Sequence, residues 1–256
     1  MSHHSLPLHN LSMKEAVETI GKWVTEGECK QVSFLNAHCV NVAQRDPDYR
    51  SSLRSSDLVL ADGVGVKLAF QHQGGELKDN VNGTDLFPLL CRHLDQAGGA
   101  RIFLLGGRPG IADGVRQWIG GCFQNLEVVG LSHGYFRDET ALLNQIKKSG
   151  AQLILVAMGV PLQETWITRH LAKLSAVTLG VGGLFDFFSG AQKRAPLWVR
   201  KLQMEWAYRL WREPGRMWRR YLVGNIVFLT RLARIPRGRI GNPLLTVAES
   251  PSPYPA

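Results

Sequence analysis

The sequence contains no Cys-x-x-Cys pair, no Gly-x-Gly-x-x-Gly fingerprint and no apolar run close to the ~20 residues a membrane-spanning helix needs. Each absence removes a class. The four cysteines, Cys29, Cys39, Cys91 and Cys122, lack metal-ligand spacing and suit a reducing compartment, so each is expected in the core. Without the glycine fingerprint, a nicotinamide-dependent oxidoreductase loses its main support. The longest apolar runs, LILVAMGV and LVGNIVFL, are core-sized, and the chain is expected to be soluble or peripheral. The opening MSHHSLPLHN has neither an apolar core nor a cleavage site. It reads as a flexible tail over residues 1–11, carrying His3, His4 and His9, and not as a signal peptide. Acidic residues are scarce in one place: residues 193–239 hold thirteen Lys or Arg against Glu205 and Glu213, a local charge of +11 in a chain of +9. The basicity is therefore confined.

What is present is 45% hydrophobic residues in a chain of 256, enough for one large α/β core with an appendage. Ser12 and Glu15 have capping-box spacing, and Met13, Val17, Ile20 and Val24 recur at helical intervals, predicting a first helix that ends near Gly27. Short apolar runs follow: QVSFLN (31–36), DLVLADG (57–63), RIFLLGG (101–107), LEVVGLS (126–132), AQLILVAMG (151–159) and AVTLGVGG (176–183). Helical patterns separate them, so the prediction is a Rossmann-like, largely parallel sheet with helices on both faces over residues 12–192. A basic helical C-terminal appendage (193–239) and a Pro/Ser-rich disordered tail (240–256) follow.

In such sheets ligands sit beyond the carboxyl ends of the strands. Asn36 closes the first strand and Asp62, followed by Gly63, closes the second. Gly106, Gly107 and Gly110 surround Arg108-Pro109, with Pro109 expected at the first position of a helix. Gln163 and Glu164 follow the fifth strand, and Gly182, Gly183 and Asp186 follow the sixth. Asp46-Pro47-Asp48 has the form of a metal-holding DxD, but it falls between two helical patterns and reads as a loop and helix cap. No metal site is predicted.

In the appendage, Trp198, Leu202, Trp206 and Leu210 recur every four residues, as in a helix packed against the body. Arg209, Arg212, Arg216, Arg219 and Arg220 are interleaved with Trp211, Trp218 and Tyr221. That combination suits an anionic membrane surface, and arginine clusters also suit phosphate groups. RNA would fit the same charge, but there is no recognised nucleic-acid motif, and no nucleic-acid partner is expected. A non-catalytic membrane-binding module explains the appendage but not the polar residues gathered at several strand ends.

The set Asn36, Ala61-Asp62-Gly63, Gly83-Thr84-Asp85-Leu86, Gly106-Gly107-Arg108-Pro109-Gly110, Pro161 to Trp166, Gly180 to Asp186 and Arg194-Ala195-Pro196, followed by Glu205-Trp206, Arg209-Leu210, Glu213-Pro214, Arg216 and Arg219-Arg220-Tyr221, resembles the WecG/TagA/CpsF family, glycosyltransferase family 26. The likeness runs over roughly residues 30–222 in the family's order. It implies an inverting transferase that needs no metal or other cofactor. Such an enzyme moves a sugar from a UDP-sugar donor to a lipid-linked saccharide acceptor, a polyprenyl diphosphate, at the cytoplasmic face of the bacterial inner membrane. The products are cell-surface polymers such as exopolysaccharide.

By the same resemblance Asp62 is the general base and Asn36 orients acceptor or sugar. Gly63, Thr84, Asp85, Gly106, Gly107, Arg108, Gln163, Glu164, Gly183 and Asp186 line the nucleotide-sugar pocket. Arg209, Arg216, Arg219 and Arg220 meet the leaving diphosphate and the membrane. Phe34 departs from the family, many of whose members carry Thr there; the missing hydroxyl would be absent or supplied by Ser33. Glucose, N-acetylmannosamine and its uronic acid are all donors the resemblance allows, and Phe34 leans the expectation toward glucose. Apolar surface left by a mobile appendage would favour a homo-oligomer.

Overall fold

The computed structural model describes residues 5–202, 204–238 and 244–249. In chain order the elements are β1 (Leu6–Leu8), α1 (Met13–Thr25), β2 (Gln31–Leu35), α2 (Ala37–Ala43), α3 (Pro47–Ser55), β3 (Leu58–Ala61), α4 (Val64–His72) and α5 (Gly83–Gln96). There follow β4 (Ala100–Gly106), α6 (Ile111–Cys122), β5 (Leu126–Ser132), α7 (Glu139–Ser149), β6 (Leu153–Ala157), α8 (Leu162–Leu174), β7 (Val177–Gly180) and α9 (Leu184–Phe188). The C-terminal part holds α10 (Leu197–Lys201), α11 (Glu205–Arg212), α12 (Pro214–Trp218), a π-helical turn (Arg219–Val223), α13 (Gly224–Ala233) and β8 (Leu245–Val247).

Six strands form one sheet in the order β3-β2-β7-β6-β4-β5, and every pairing in it is parallel. Side chains alternate across it as the period of two requires. Val32, Phe34, Leu58, Leu60, Ile102, Leu104, Leu153 and Leu155 face α1, α5 and α6 in one core cluster. Leu35, Val59 and Ala61 face α2, α3, α4 and α13 on the other side, and Phe103, Leu105, Ile154 and Val156 face α7 and α8 there. Helices thus cover both faces. The capping box at α1 is formed in both directions, Ser12 accepting from Glu15 N and Glu15 from Ser12 N. Asp46 caps α3, accepting from Tyr49 N at 2.9 Å, with Pro47 in the first turn.

The ends of the chain differ from the flexible tails expected. Leu6 and Leu8 are fully buried, and β1 pairs in parallel with β8, with Leu6 opposite Leu245. His9 is buried; its Nδ1 accepts from Val59 N at 2.9 Å, and its own N–H donates to Val59 O at 2.9 Å. The physical reason is pairing: neither segment can satisfy its backbone alone, and each covers the apolar side of the other. His3 and His4 lie outside the described residues, as do residue 239 of the expected appendage and 240–243 and 250–256 of the expected C-terminal tail. Cys39 and Cys91 are buried as expected, whereas Cys29 and Cys122 are exposed.

The appendage is only partly an appendage. Phe228 and Leu232 of α13 are buried in the cluster with α2 and α4, and Asn41 Nδ2 donates to Gly224 O at 2.7 Å. By contrast, the every-four pattern starting at Trp198 does not pack as one helix. The chain breaks between α10 and α11, leaving Trp198 67% and Leu202 65% exposed.

Candidate active site

Two adjacent strand ends bring the first pair of side chains together. Asn36 ends β2 and caps α2, its Oδ1 accepting from Cys39 N at 3.1 Å. That bond fixes the amide orientation, so Nδ2 points to the neighbouring strand and donates to Asp62 Oδ2 at 3.3 Å. Asp62 leaves β3 with its N–H bonded to Leu35 O at 2.8 Å. Gly63 then takes φ 92°, a left-handed value that a side chain would strain, and its N–H donates to Asn80 Oδ1 at 2.5 Å. The carboxylate is held by backbone on both sides. Burial keeps the Asp62 carboxyl above the usual aspartate value; the Asn36 hydrogen bond and the charges of Arg220 and Arg209 oppose the rise, and Asp85 adds to it.

Those two arginines come from the appendage. Arg209 of α11 lies with its Cζ 4.9 Å from the Phe187 ring centroid. A Cβ on Gly183 would sit 3.2 Å from its Nη2, so the guanidinium rests on the glycine turn after β7. Arg220, in the π-turn, is half-buried near Asp62 and His38. Burial, with Arg220 adding to it, pulls the His38 imidazole down to about 4, so it is neutral at physiological pH. Arg219 turns outward and lies over Trp218 at 5.2 Å. Arg216 is in α12, but its side chain falls outside the described ones.

The glycine turns are braced from below. Gln163 is buried and its Oε1 accepts from both Gly159 N and Gly182 N at 3.0 Å, tying the turn after β6 to the turn after β7. Gln163 Nε2 donates to Glu164 Oε1 at 2.8 Å, while Glu164 Oε2 has no partner among the described residues. Glu164 is fully buried, and that burial pushes its carboxyl up to about 7 against the hydrogen bond from Gln163. A Cβ on Gly180 would meet Gln163 Nε2 at 2.9 Å, which is why the strand must end in glycine. Both side chains therefore shape the floor from beneath.

Between β4 and β6 the chain leaves the sheet in opposite directions, toward β5 and toward β7, making a topological switch point. Gly106, at φ 133°, crosses so close that a Cβ would collide with the Ala157 carbonyl, and Gly107 N donates to that oxygen at 3.0 Å. Arg108 and Pro109 are exposed. The helix expected to start at Pro109 starts at Ile111, because Gly110 takes a left-handed conformation at the cap. Asp186 lies in α9, where its backbone oxygen accepts from Gln192 N at 2.8 Å.

Thr84 and Asp85 open α5 beside the site. Asp85 is engaged: Arg194 Nη1 donates to Oδ1 at 2.7 Å, Arg200 Nη1 lies 3.4 Å from the same oxygen, and Asn82 Nδ2 donates to Oδ2 at 2.7 Å. Burial acts to raise the Asp85 carboxyl, but the bonds from Arg194 and Asn82 outweigh it and hold it below its usual value. These contacts pin the start of the appendage to α5. The Phe34 ring, buried in the sheet, packs under α5, and a Cβ on Gly83 would be 3.5 Å from it. Ser33 does not replace the missing hydroxyl: it points to the opposite face and shares a 2.9 Å hydrogen bond with Ser56.

Sequence reasoning missed Asn80, His38 and the roles of Arg194 and Arg200. Asn80 is in an irregular segment with no periodic signal, and His38 is visible only once α2 is placed beside the π-turn. It also missed Tyr135, 69% exposed beyond the carboxyl end of β5. Among the described residues no group of three or more His, Cys, Asp or Glu side chains is arranged as a metal ligand set, and no helix is long and apolar enough to cross a membrane.

Comparison with known proteins gives concordant matches. The model of a family described as glycosyl transferase WecG/TagA/CpsF matches residues 1–240. A Bacillus subtilis (strain 168) protein named N-acetylglucosaminyldiphosphoundecaprenol N-acetyl-beta-D-mannosaminyltransferase is 34% identical over 222 residues, covering 86% of each chain. A protein of the same name from Bacillus spizizenii is 37% identical over 182 residues, covering 70% of each.

Proposed function

The chain belongs to the WecG/TagA/CpsF glycosyltransferase family, and from that premise we propose that it transfers N-acetylmannosamine from a UDP-sugar to a polyprenyl-diphosphate-linked N-acetylglucosamine. The family makes the chain a glycosyltransferase. The choice of sugar and acceptor rests on the two Bacillus relatives, whose names specify both. Glucose, toward which Phe34 leaned, and the uronic acid draw no support from them.

The observation that carries the mechanism is the half-buried Asp62 carboxylate, hydrogen-bonded to Asn36 and facing Arg209 and Arg220 across the strand ends. In this reading the acceptor hydroxyl attacks the anomeric carbon of the donor, and Asp62 takes its proton as the bond forms. The bond from the anomeric carbon to the diphosphate oxygen breaks on the opposite face, inverting configuration and releasing UDP. Negative charge builds on the leaving oxygen, and Arg209 and Arg220 stand where it is neutralised. The glycine turns at Gly106–Gly107 and Gly182–Gly183, with no side chains in the way, let the nucleotide diphosphate come close to the backbone at the strand ends. A basic, aromatic appendage docked on an anionic membrane keeps the acceptor within reach.

A radiolabelled donor panel tests this reading. UDP-N-acetylmannosamine, UDP-glucose and the UDP-uronic acid are each supplied with lipid-linked N-acetylglucosamine diphosphate in EDTA. Label is expected in the lipid phase from UDP-N-acetylmannosamine alone; transfer from glucose instead overturns the donor assignment.

A further inference from the structure

Between α9 and α11 lies a cavity of about 190 Å³ that the reaction described above leaves unused. Its lining includes Phe187, Lys193, Tyr208, Arg209, Arg212 and Glu213. Three cations face one carboxylate, and that carboxylate already accepts a hydrogen bond from Gln192 Nε2. Lys193 and Arg212 are exposed and, among the described residues, have neither an ion pair nor a hydrogen bond. This is unlike Arg194 next door, which is spent on Asp85 and on Glu205, 3.6 Å away. The cavity therefore presents about two uncompensated positive charges.

Trp211, 74% exposed, lies against the Tyr208 ring of the lining with centroids 6.1 Å apart, so the polar, cationic hollow is flanked by a side chain that avoids water. A nucleotide alone does not call for that flank; an amphiphile with an anionic head and a hydrocarbon tail does. Arg209 is shared: its guanidinium touches the Gly183 turn and the Phe187 ring and acts on Asp62, while its side chain also lines the cavity. One residue thus links the reacting end of the site to this hollow.

We propose that this cavity binds the diphosphate of the lipid-linked acceptor, with Lys193 and Arg212 as its dedicated cations and Trp211 receiving the first isoprene unit. The inference rests on the proposed acceptor class. A sugar-diphosphate-lipid carries two negative charges, matching the excess in the cavity, and one sugar ring separates its diphosphate from the attacking hydroxyl. Donor and acceptor diphosphates then lie on opposite sides of Arg209.

Binding, not turnover, tests the proposal. The full-length Lys193→Gln/Arg212→Gln variant is titrated by calorimetry with farnesyl-diphosphate-linked N-acetylglucosamine, with UDP, and with phosphatidylglycerol vesicles. Both side chains are exposed, so the fold is expected to survive; Trp211→Ser, which removes the apolar flank and leaves the cations, is the second variant. The expected result is at least tenfold weaker binding of the lipid diphosphate in each, with UDP within twofold of wild type. Unchanged lipid-diphosphate binding, a loss confined to UDP, equal losses of both, or a loss seen only with vesicles each overturns it. Because binding is read directly, a wild-type protein that binds the lipid diphosphate but transfers no N-acetylmannosamine refutes the donor reading and leaves this site standing.

Discussion

At the scale of single residues, the site is a balance between burial and charge around two carboxylates. Asp62 is raised by burial and restrained by Arg220 and Arg209. As the proposed base, Asp62 works deprotonated, so the transfer rate is expected to fall as pH drops through a value above that of an ordinary aspartate. Arg220→Gln removes one restraint and should move this acid limb of kcat/KM to higher pH; an unmoved limb contradicts the placement of Arg220. Glu164 belongs to stability. Its folded value of about 7 lies above the ordinary 4.5, so the folded state holds the proton more tightly, and stability is lost as pH rises through that window. The full linkage amounts to about 3 kcal/mol. Glu164→Gln should abolish this dependence, so that denaturant midpoints at pH 8 exceed wild type while those at pH 4 match it. The strand-end positions of Asn36, Asp62, Gln163 and Glu164 were legible in the sequence, because each ends or follows an apolar run. Their division of labour was not: whether a polar side chain lines a pocket or braces it from beneath depends on which turns it bridges, as Gln163 does between Gly159 and Gly182.

At the scale of elements, six strands were read to within three residues of their ends, since buried parallel strands are short apolar runs. β1 and β8 escaped because three residues carry too little pattern, and each forms only against the other. The tail is also held by Gln73, whose Nε2 donates to Leu245 O at 3.0 Å and whose Oε1 accepts from Leu245 N at 3.2 Å. His72 Nε2 lies 2.7 Å from Ile235 O, pinning the chain after α13. These contacts hold the segment that carries Arg220. Phe228→Ala, which empties a fully buried ring position, should cost about 3–5 kcal/mol on unfolding. It should also raise amide exchange across 219–233 ahead of the sheet; uniform exchange across the whole chain would show that α13 belongs to the core cooperatively and is no separate latch.

At the scale of the whole molecule, charge and apolar exposure are concentrated on one side of the chemistry. The excess of +11 lies in residues 193–239, the same segment that exposes Trp198, Trp211, Ile226 and Leu229. Surface attraction at about 1 kcal/mol per cation is screened by salt. Binding to phosphatidylglycerol vesicles should therefore weaken at least tenfold between 0.1 and 0.5 M NaCl, and vanish for zwitterionic vesicles at the higher salt; salt-independent binding contradicts an electrostatic dock. The sequence made this asymmetry plain by counting. It did not reveal that the segment folds back, because that depends on Phe228 and Leu232 finding α2 and α4, a contact nearly two hundred residues long-range that no local period encodes.

The most direct measurement is transfer of N-acetylmannosamine to lipid-linked N-acetylglucosamine diphosphate by Asp62→Asn beside wild type, with UDP binding followed on the same samples. The substituted amide keeps the volume and the neighbouring hydrogen bond but accepts no proton. Loss of at least a thousandfold in kcat with UDP affinity within threefold is the predicted result; retention of more than a tenth of wild-type kcat places the base elsewhere.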